Sequence, residues 1–121
     1  MDNVAVSFYD SNDQRILGAQ AEVETAFGLR NSVPNSNMVP VVVQPKHARY
    51  VKGTINLFDF KHPEKAHYIF GPNNQHLREY EVPENSLIVY IEQELQNATL
   101  YSHQACAIIL YDRLYKYRKW H

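Results

Sequence analysis

Basic and aromatic side chains alternate over the last nine residues of the chain. Residues 113 to 121 hold no acid, two tyrosines, a tryptophan and four cations: Arg113, Lys116, Arg118 and Lys119. Cations interleaved with aromatic rings bind phosphates and stack on nucleobases. The same composition also suits an ordinary helix end, where basic residues favour the negative carboxyl terminus and the rings dock on the core. The tail therefore predicts either contact with RNA or a plain helix end, and the residues alone do not separate the two.

The histidines and the single cysteine are the other groups that could do chemistry. The spacing of His62, His67, His76 and His103 matches no compact zinc pattern, and one cysteine cannot build a thiolate site, so we predict no metal centre. His103 and Cys106 lie three residues apart and could touch on one helical face. A nucleophilic thiolate needs an electropositive, partly exposed setting. Cys106 lies between two alanines, which predicts a small buried apolar residue instead.

Gly71 follows a short apolar run and precedes a proline. A glycine at the carboxyl end of a sheet strand lets a ligand approach the backbone, and ligands of open α/β sheets bind at that edge. Turn glycines are also common, so Gly71 predicts either a binding position or a simple turn.

The elements that must position these residues alternate along the chain. Apolar and β-branched runs predict strands, helical spacing predicts helices, and Gly28 suits the stop of the first helix. We predict strands over 4–9, 39–44, 67–70 and 86–91, helices over 14–27 and 100–120, and a short turn or helix over 54–60. Such alternation predicts a parallel α/β sheet. No repeat, low-complexity tract or linker divides the chain, so residues 1–121 are predicted to form one domain.

Composition and charge exclude several classes of protein. The chain has 121 residues, of which 45% are hydrophobic and 21% charged, which excludes a disordered or fibrous chain. The longest apolar run covers seven residues (105–111), far below the roughly 18 that a membrane span needs. The first residues lack a signal-peptide pattern and the one cysteine suits a reducing compartment, so we expect a cytoplasmic protein. The formal net charge of −1 does not exclude RNA, because residues 113–121 alone carry four basic and no acidic side chains.

Three segments, in order along the chain, resemble the three motifs of the SPOUT-class RNA ribose methyltransferases of the TrmH type. The first is the strand over 4–9 with Gly18 and the closing Phe27-Gly28. The second is His62-Pro63 followed by Tyr68-Ile69-Phe70-Gly71-Pro72. The third is Val89-Tyr90-Ile91 followed by a helix that carries Leu110-Tyr111-Asp112-Arg113.

This resemblance implies a mostly parallel sheet flanked by helices, with a C-terminal trefoil knot, a rare exception among protein chains. It also implies a homodimer that binds S-adenosylmethionine in the knot loops, largely through backbone groups and apolar walls. The loops correspond here to Gly71, Ile91, Thr99 and Leu100, which are therefore the predicted cofactor contacts.

Four polar positions depart from the motifs. The first-motif arginine corresponds to Glu22 and the first-motif asparagine to Ile16, while the second-motif glutamate and third-motif asparagine correspond to Asn73 and Tyr101. Ribose methylation needs a base or a cation that activates the 2′-hydroxyl, and a carboxylate at position 22 repels RNA phosphate.

Two interpretations of these departures stay open. Either Arg15 or Arg30 supplies the cation from a neighbouring position, or the chain keeps the fold with lost or altered chemistry. The resulting hypotheses are an S-adenosylmethionine-dependent RNA methyltransferase, a catalytically inactive homodimer that binds RNA or protein, and a plain interaction domain without a small ligand.

Overall fold

The structure, a computed structural model, describes residues 1–9, 11–44, 53–71, 82–94 and 100–120. Strands and helices alternate along it. In chain order, the elements are β1 (Val4–Phe8), α1 (Gln14–Ala26), β2 (Val39–Gln44), β3 (Thr54–Asn56), a short 3₁₀ helix (Leu57–Asp59), β4 (Ala66–Phe70), β5 (Leu87–Tyr90) and α2 (Ser102–Trp120).

Local sequence explains where α1 begins and ends. Asp13 is the N-cap residue, and its carboxylate accepts a hydrogen bond of 2.9 Å from the backbone N–H of Arg15. Gly28 follows the last turn with φ of 71°, a left-handed conformation that favours glycine and stops the helix. The predicted helix over 14–27 is confirmed to within one residue.

The five strands form one parallel sheet in the order β1-β4-β2-β5-β3. In this register Val4 lies opposite Ala66, Val43 opposite Phe70, and Gln44 opposite Tyr90. The carboxyl ends of β4, β2 and β5 therefore lie level with one another. The predicted parallel α/β architecture is confirmed.

The main core lies between one face of the sheet and the two helices. Tyr68 and Val41 on the sheet pack in one buried cluster with Cys106, Ile109 and Leu110 of α2. A second buried cluster, on Val42 and Ile69, occupies the other face. The run Val41-Val42-Val43 is thus buried on both faces, as its uninterrupted β-branched sequence predicts.

The prediction for residues 54–60 needs correction. Thr54–Asn56 form an edge strand that pairs with β5, and only Leu57–Asp59 form the predicted helical turn. The strand has three residues and the apolar pair Leu57-Phe58 follows it directly, so the period-2 pattern is too short to separate from the turn. Among the described residues, neither helix combines the length and apolar character that crossing a bilayer requires.

Candidate functional site

Two of the four predicted cofactor contacts lie at the carboxyl edge of the sheet. Gly71 directly follows β4 and Ile91 directly follows β5; both are half-buried, and Ile91 packs against the main core. Because β2 lies between their strands, the two positions are separated by two strand spacings, about 10 Å. Leu100, half-buried, lies two residues before α2. Thr99 falls outside the described residues.

A buried polar side chain that sequence reasoning missed ends the strand between these positions. Gln44 is 3% exposed and closes β2, with β4 on one side and β5 on the other. A glutamine that ends a run of three buried valines is a visible signal, because polar residues are seldom buried without a partner.

Two hydrogen bonds fix the start of α2. The buried amide of Gln20 on α1 donates to the Ser102 hydroxyl at 3.1 Å. The backbone N–H of Tyr101 donates to the side chain of Gln104 at 2.9 Å, which satisfies one of the free donors at the helix start. The segment that carries Leu100 is therefore held against α1.

The positions aligned with the first motif lie along α1. Glu22 is exposed and Ile16 is half-buried. Arg15 stands in the first turn, which follows the carboxyl end of β1, and its side chain is 93% exposed with an ion pair to Asp13 at 3.4 Å. Arg30 lies beyond the other end of α1, about 20 Å along the helix axis. Of the two alternative cations, Arg15 is the one near the carboxyl edge.

The four C-terminal cations divide into two pairs. Arg113 is buried, and its guanidinium donates to the carbonyls of Pro63 (2.6 Å) and Glu64 (2.7 Å) and lies 4.4 Å from the Tyr117 ring centre. Lys116 donates to the carbonyls of Leu57 (2.6 Å) and Phe60 (2.8 Å). These two cations tie α2 to residues 57–64.

Arg118 and Lys119 form the other pair, in the last turn of α2, and both are exposed. The ammonium of Lys119 donates to the Tyr115 hydroxyl at 3.2 Å and lies 5.5 Å from the centre of that ring. Arg113 and Lys116 thus behave as an ordinary helix end that contacts the interior, whereas Arg118 and Lys119 face solvent and remain available for contact with RNA.

A buried polar network joins β4 to α2. His62 Nε2 lies 2.8 Å from an Asp112 carboxylate oxygen, and His62 Nδ1 lies 2.6 Å from the Tyr68 hydroxyl. Lys116 pairs with the same oxygen of Asp112 at 2.8 Å, and Arg113 donates to the Tyr68 hydroxyl at 3.1 Å. Burial is the main cause that lowers the pKa of His62 to about 4 and raises the pKa of Tyr68 to about 12.

Sequence reasoning did not find this network, since it treated His62 only as one of four histidines that match no zinc pattern and placed Arg113 in the basic tail. A signal was present, because the network uses His62-Pro63, Tyr68 and Asp112-Arg113, which belong to the second and third motif-like segments. None of the buried side-chain nitrogen and oxygen atoms of this network lacks a hydrogen-bond partner within the chain, so the network stabilises the packing of α2 against residues 62–68.

The remaining candidate residues have structural surroundings. His67 on β4 bonds to the hydroxyl of Ser7 on β1 at 2.7 Å, and the His103 ring stacks near Tyr101 at 5.8 Å. Cys106 is fully buried, and burial raises the pKa of its thiol to about 12, which confirms the prediction of a small buried apolar residue. His76 lies outside the described residues, and within them no three potential metal ligands cluster.

Exposed apolar side chains run along the outer face of α2. Ile108 is 39% exposed and Tyr111 is 66% exposed, and with Phe27 and Ile91 they line a groove of about 720 Å³. Contiguous exposed apolar surfaces are common at the interaction sites of proteins. We call these four residues the apolar face.

The parallel sheet and its flanking helices have the same architecture as several solved structures. Solved structures with the same fold include a probable methylase family protein from Haemophilus influenzae Rd KW20, with a TM-score of 0.70 at 12% identity over 98% of this chain and 67% of that one. The A. aeolicus TrmH/SpoU tRNA modifying enzyme has a TM-score of 0.66 at 11% identity, over 98% of this chain and 77% of that one. TrmJ from Z. mobilis ZM4 has a TM-score of 0.61 at 12% identity, over 93% and 68%.

These likenesses concern the fold. No family model and no curated protein matches the sequence. The SPOUT-like fold predicted from the three motif-like segments is confirmed at the level of the parallel α/β architecture.

Proposed function

We propose that this protein binds S-adenosylmethionine at the carboxyl edge of its sheet and belongs, by function, with the RNA 2′-O-ribose methyltransferases. The observation that carries the proposal is the fold shared with a TrmH/SpoU tRNA modifying enzyme over 98% of the chain. The trefoil knot, in which residues 100–121 pass through a loop of the chain, is part of the proposal, and a crystal structure that traces those residues tests it.

The residues at the edge suit the cofactor. A glycine at the end of β4 admits close approach to the backbone, and the half-buried side chains of Ile91 and Leu100 offer apolar walls for an adenine ring. Gly71, Ile91, Thr99 and Leu100 are the proposed contacts. When bound, the cofactor supplies a methyl group on a sulfonium, ready for transfer to a nucleophilic oxygen.

The chain's own contribution to transfer is the activation of the ribose hydroxyl. Of the two alternative cations, Arg15 is the one that follows the carboxyl end of a strand, and its exposed ion pair with Asp13 is weak enough to exchange for another anion. We assign Arg15 the stabilisation of negative charge that develops on the nucleophile, a role for which an oriented guanidinium is suited.

A second candidate function is a catalytically inactive homodimer that binds RNA or protein. The exposed carboxylate of Glu22 favours it, since this residue stands where the first motif has its arginine. Both candidates share the fold and the cofactor-edge geometry, and they differ only in whether a methyl group is transferred.

Homodimerisation through the apolar face completes the proposal. Two copies that meet through Ile108 and Tyr111 would remove both side chains from water, and the face extends to Ile91 beside the cofactor edge. A second copy seated there lies next to the proposed cofactor contacts. The RNA contacts are proposed on Arg118 and Lys119, because Arg113 and Lys116 use their donors within the chain.

Calorimetric titration with S-adenosylhomocysteine tests cofactor binding, and transfer from radiolabelled S-adenosylmethionine to bulk RNA then separates the two candidates. Binding with transfer supports the enzyme, binding without transfer supports the inactive homodimer, and the absence of binding refutes the cofactor site. Leu100→Ala is expected to weaken binding, whereas its matched control Leu17→Ala, on the exposed surface of α1, is expected to leave it unchanged.

Sedimentation velocity tests the apolar face. Ile108→Asp places a charge in the centre of the face and is expected to give monomers, because burying an unpaired carboxylate in an interface is unfavourable. Val33→Asp, at an exposed apolar residue outside the face, is the control and should leave the dimer intact.

A further inference from the structure

We infer that a second groove, between residues 58–64 and the last turns of α2, binds a single-stranded segment of RNA. The groove has a volume of about 700 Å³, within the ~300–1,000 Å³ range of ligand pockets, and none of Gly71, Ile91 and Leu100 lines it. The inference rests on the proposed RNA substrate class, but it adds a binding site separate from the cofactor contacts.

Aromatic rings at the mouth of the groove are available for stacking. Phe58 is 72% exposed and Tyr115 is 54% exposed, although large aromatic side chains are usually buried. Nucleobases stack on such rings without regard to sequence, since every base presents a flat π-face. Phe58 and Tyr115 also border the apolar groove on α2, so they stand where the two surfaces meet.

Cations surround these rings. Lys61 and Lys119 are exposed and line the groove, and the Lys119 ammonium lies against the Tyr115 ring. Arg118 shares the neighbouring surface with Tyr115 and Lys119. A flat ring with an ammonium beside it can stack on a base and pair with the adjoining phosphate.

Cations outnumber carboxylates at the groove and its border, which favours a polyanion as the ligand. The lining of the groove holds three lysines against two carboxylates, Asp59 and Glu64, and Arg118 adds a further cation at its border. Lys116 donates to backbone carbonyls and is paired with Asp112, so the cations available to a phosphate are Lys61, Lys119 and Arg118.

The walls of the groove are fixed before any ligand arrives. The Lys116 ammonium donates hydrogen bonds to the carbonyls of Leu57 and Phe60. The Tyr117 hydroxyl donates to the carbonyl of His62 at 3.2 Å. Because both contacts join residues 57–62 to α2, the groove keeps its shape without ordering a loop. Preorganisation of this kind reduces the entropic penalty of binding.

Fluorescence anisotropy of the full chain with a fluorescein-labelled uridine dodecamer tests the inference. Lys61→Ala is expected to lower the slope of log affinity against log salt by about 0.7, the value for one lost phosphate contact on a single strand. Lys65→Ala removes an exposed lysine that does not line the groove, and it should leave the slope unchanged. Equal slopes for both variants and the wild type overturn the inference.

The aromatic contribution is tested at Tyr115. Tyr115→Ser is expected to weaken binding by about 5- to 150-fold through lost stacking, and Tyr115→Phe is expected to retain the wild-type affinity because the ring remains. Sedimentation of the same variants shows whether the dimer is intact, and a loss of affinity that follows only from dissociation counts against stacking.

Titration with S-adenosylhomocysteine separates this inference from the proposed function. The Lys61 and Tyr115 variants should bind it as the wild type does. If the protein binds S-adenosylhomocysteine but the groove variants bind the oligonucleotide as the wild type does, only the groove is refuted. If the groove variants lose RNA affinity but the protein does not bind S-adenosylhomocysteine, only the cofactor site is refuted. A duplex of the same length that binds as tightly as the single strand also overturns the inference.

Discussion

Removal of the titratable ring at His62 should change how the stability of the protein depends on pH. The His62 side chain has no exposed surface. Its partners assign the neutral tautomer: Nε2–H donates to Asp112, and Nδ1 accepts from the Tyr68 hydroxyl, whose oxygen accepts from Arg113. A second proton on the ring would direct Nδ1–H at the Tyr68 hydroxyl and would add a positive charge beside Arg113 and Lys116, which is unfavourable in this buried site.

The magnitude follows from the two pKa values of the ring. Burial lowers the pKa of His62 from 6.5 to about 4, against the opposing effect of Asp112. As the pH falls below 6.5, the unfolded chain takes up a proton that the folded chain refuses until about pH 4. The free energy of unfolding therefore falls with pH in this window, and the His62 contribution between pH 7 and pH 5 is about 2 kcal/mol.

Urea unfolding followed by circular dichroism at pH 7 and pH 5 measures this contribution in the wild type and in His62→Gln. Burial also lowers the pKa of His67, so the wild type carries a further loss of the same sign that the variant retains. The variant is expected to lose about 2 kcal/mol less than the wild type. Equal losses refute the reasoning, as does an imidazole NMR titration of wild-type His62 with a midpoint near 6.5.

Three further outcomes are expected. Arg113→Ala should lower the free energy of unfolding by about 2–4 kcal/mol, because two backbone carbonyls lose charge-assisted donors. Arg118→Ala, at the exposed surface, should change it by less than about 0.5 kcal/mol. Equal values in urea unfolding would contradict the assignment of Arg113 to the interior and Arg118 to the surface. Leu110→Ala should destabilise the fold by about 2–5 kcal/mol in the same assay, and a smaller loss would place this residue outside the core. The Cys106 thiol should react with Ellman's reagent only after unfolding, since it is buried with a raised pKa, and prompt reaction of the folded protein contradicts that placement.

Much of the sheet and both helices could be predicted from local sequence. Val41-Val42-Val43 and Tyr68-Ile69-Phe70 are continuous apolar runs, and such runs at this length have few alternatives to a buried strand. Gly28 marks the end of α1 through a backbone conformation that other residues rarely adopt. The edge strand β3 was missed because three residues are too few to show a period.

The contacts of the polar side chains could not be predicted, because they join residues far apart in the sequence. His62 meets Asp112 across 50 positions, and Arg113 meets Pro63 across the same separation. Spacing along a helix places Arg113 and Lys116 on the basic tail, but only the packing of α2 against residues 57–64 turns both inward. Gly71 and Ile91 lie at the same edge because their strands end there and run parallel, which follows from the predicted strands over 67–70 and 86–91 in a parallel sheet.

The strand order has a consequence for how the chain acquires its structure. In the described sheet no strand pairs with the strand that precedes or follows it in the sequence. The partner of β1 is β4, which lies 62 positions further along the chain. As a ribosome releases the chain, the first three strands have no partner until residues 66–90 emerge. Because every pairing closes a long loop first, folding should be slow and should wait for residues 66–90, whereas α1 depends on local contacts and is the element of the described part that can form earlier. Among the described strands, the valine-rich β2 is therefore a segment at risk of aggregation while it has no partner.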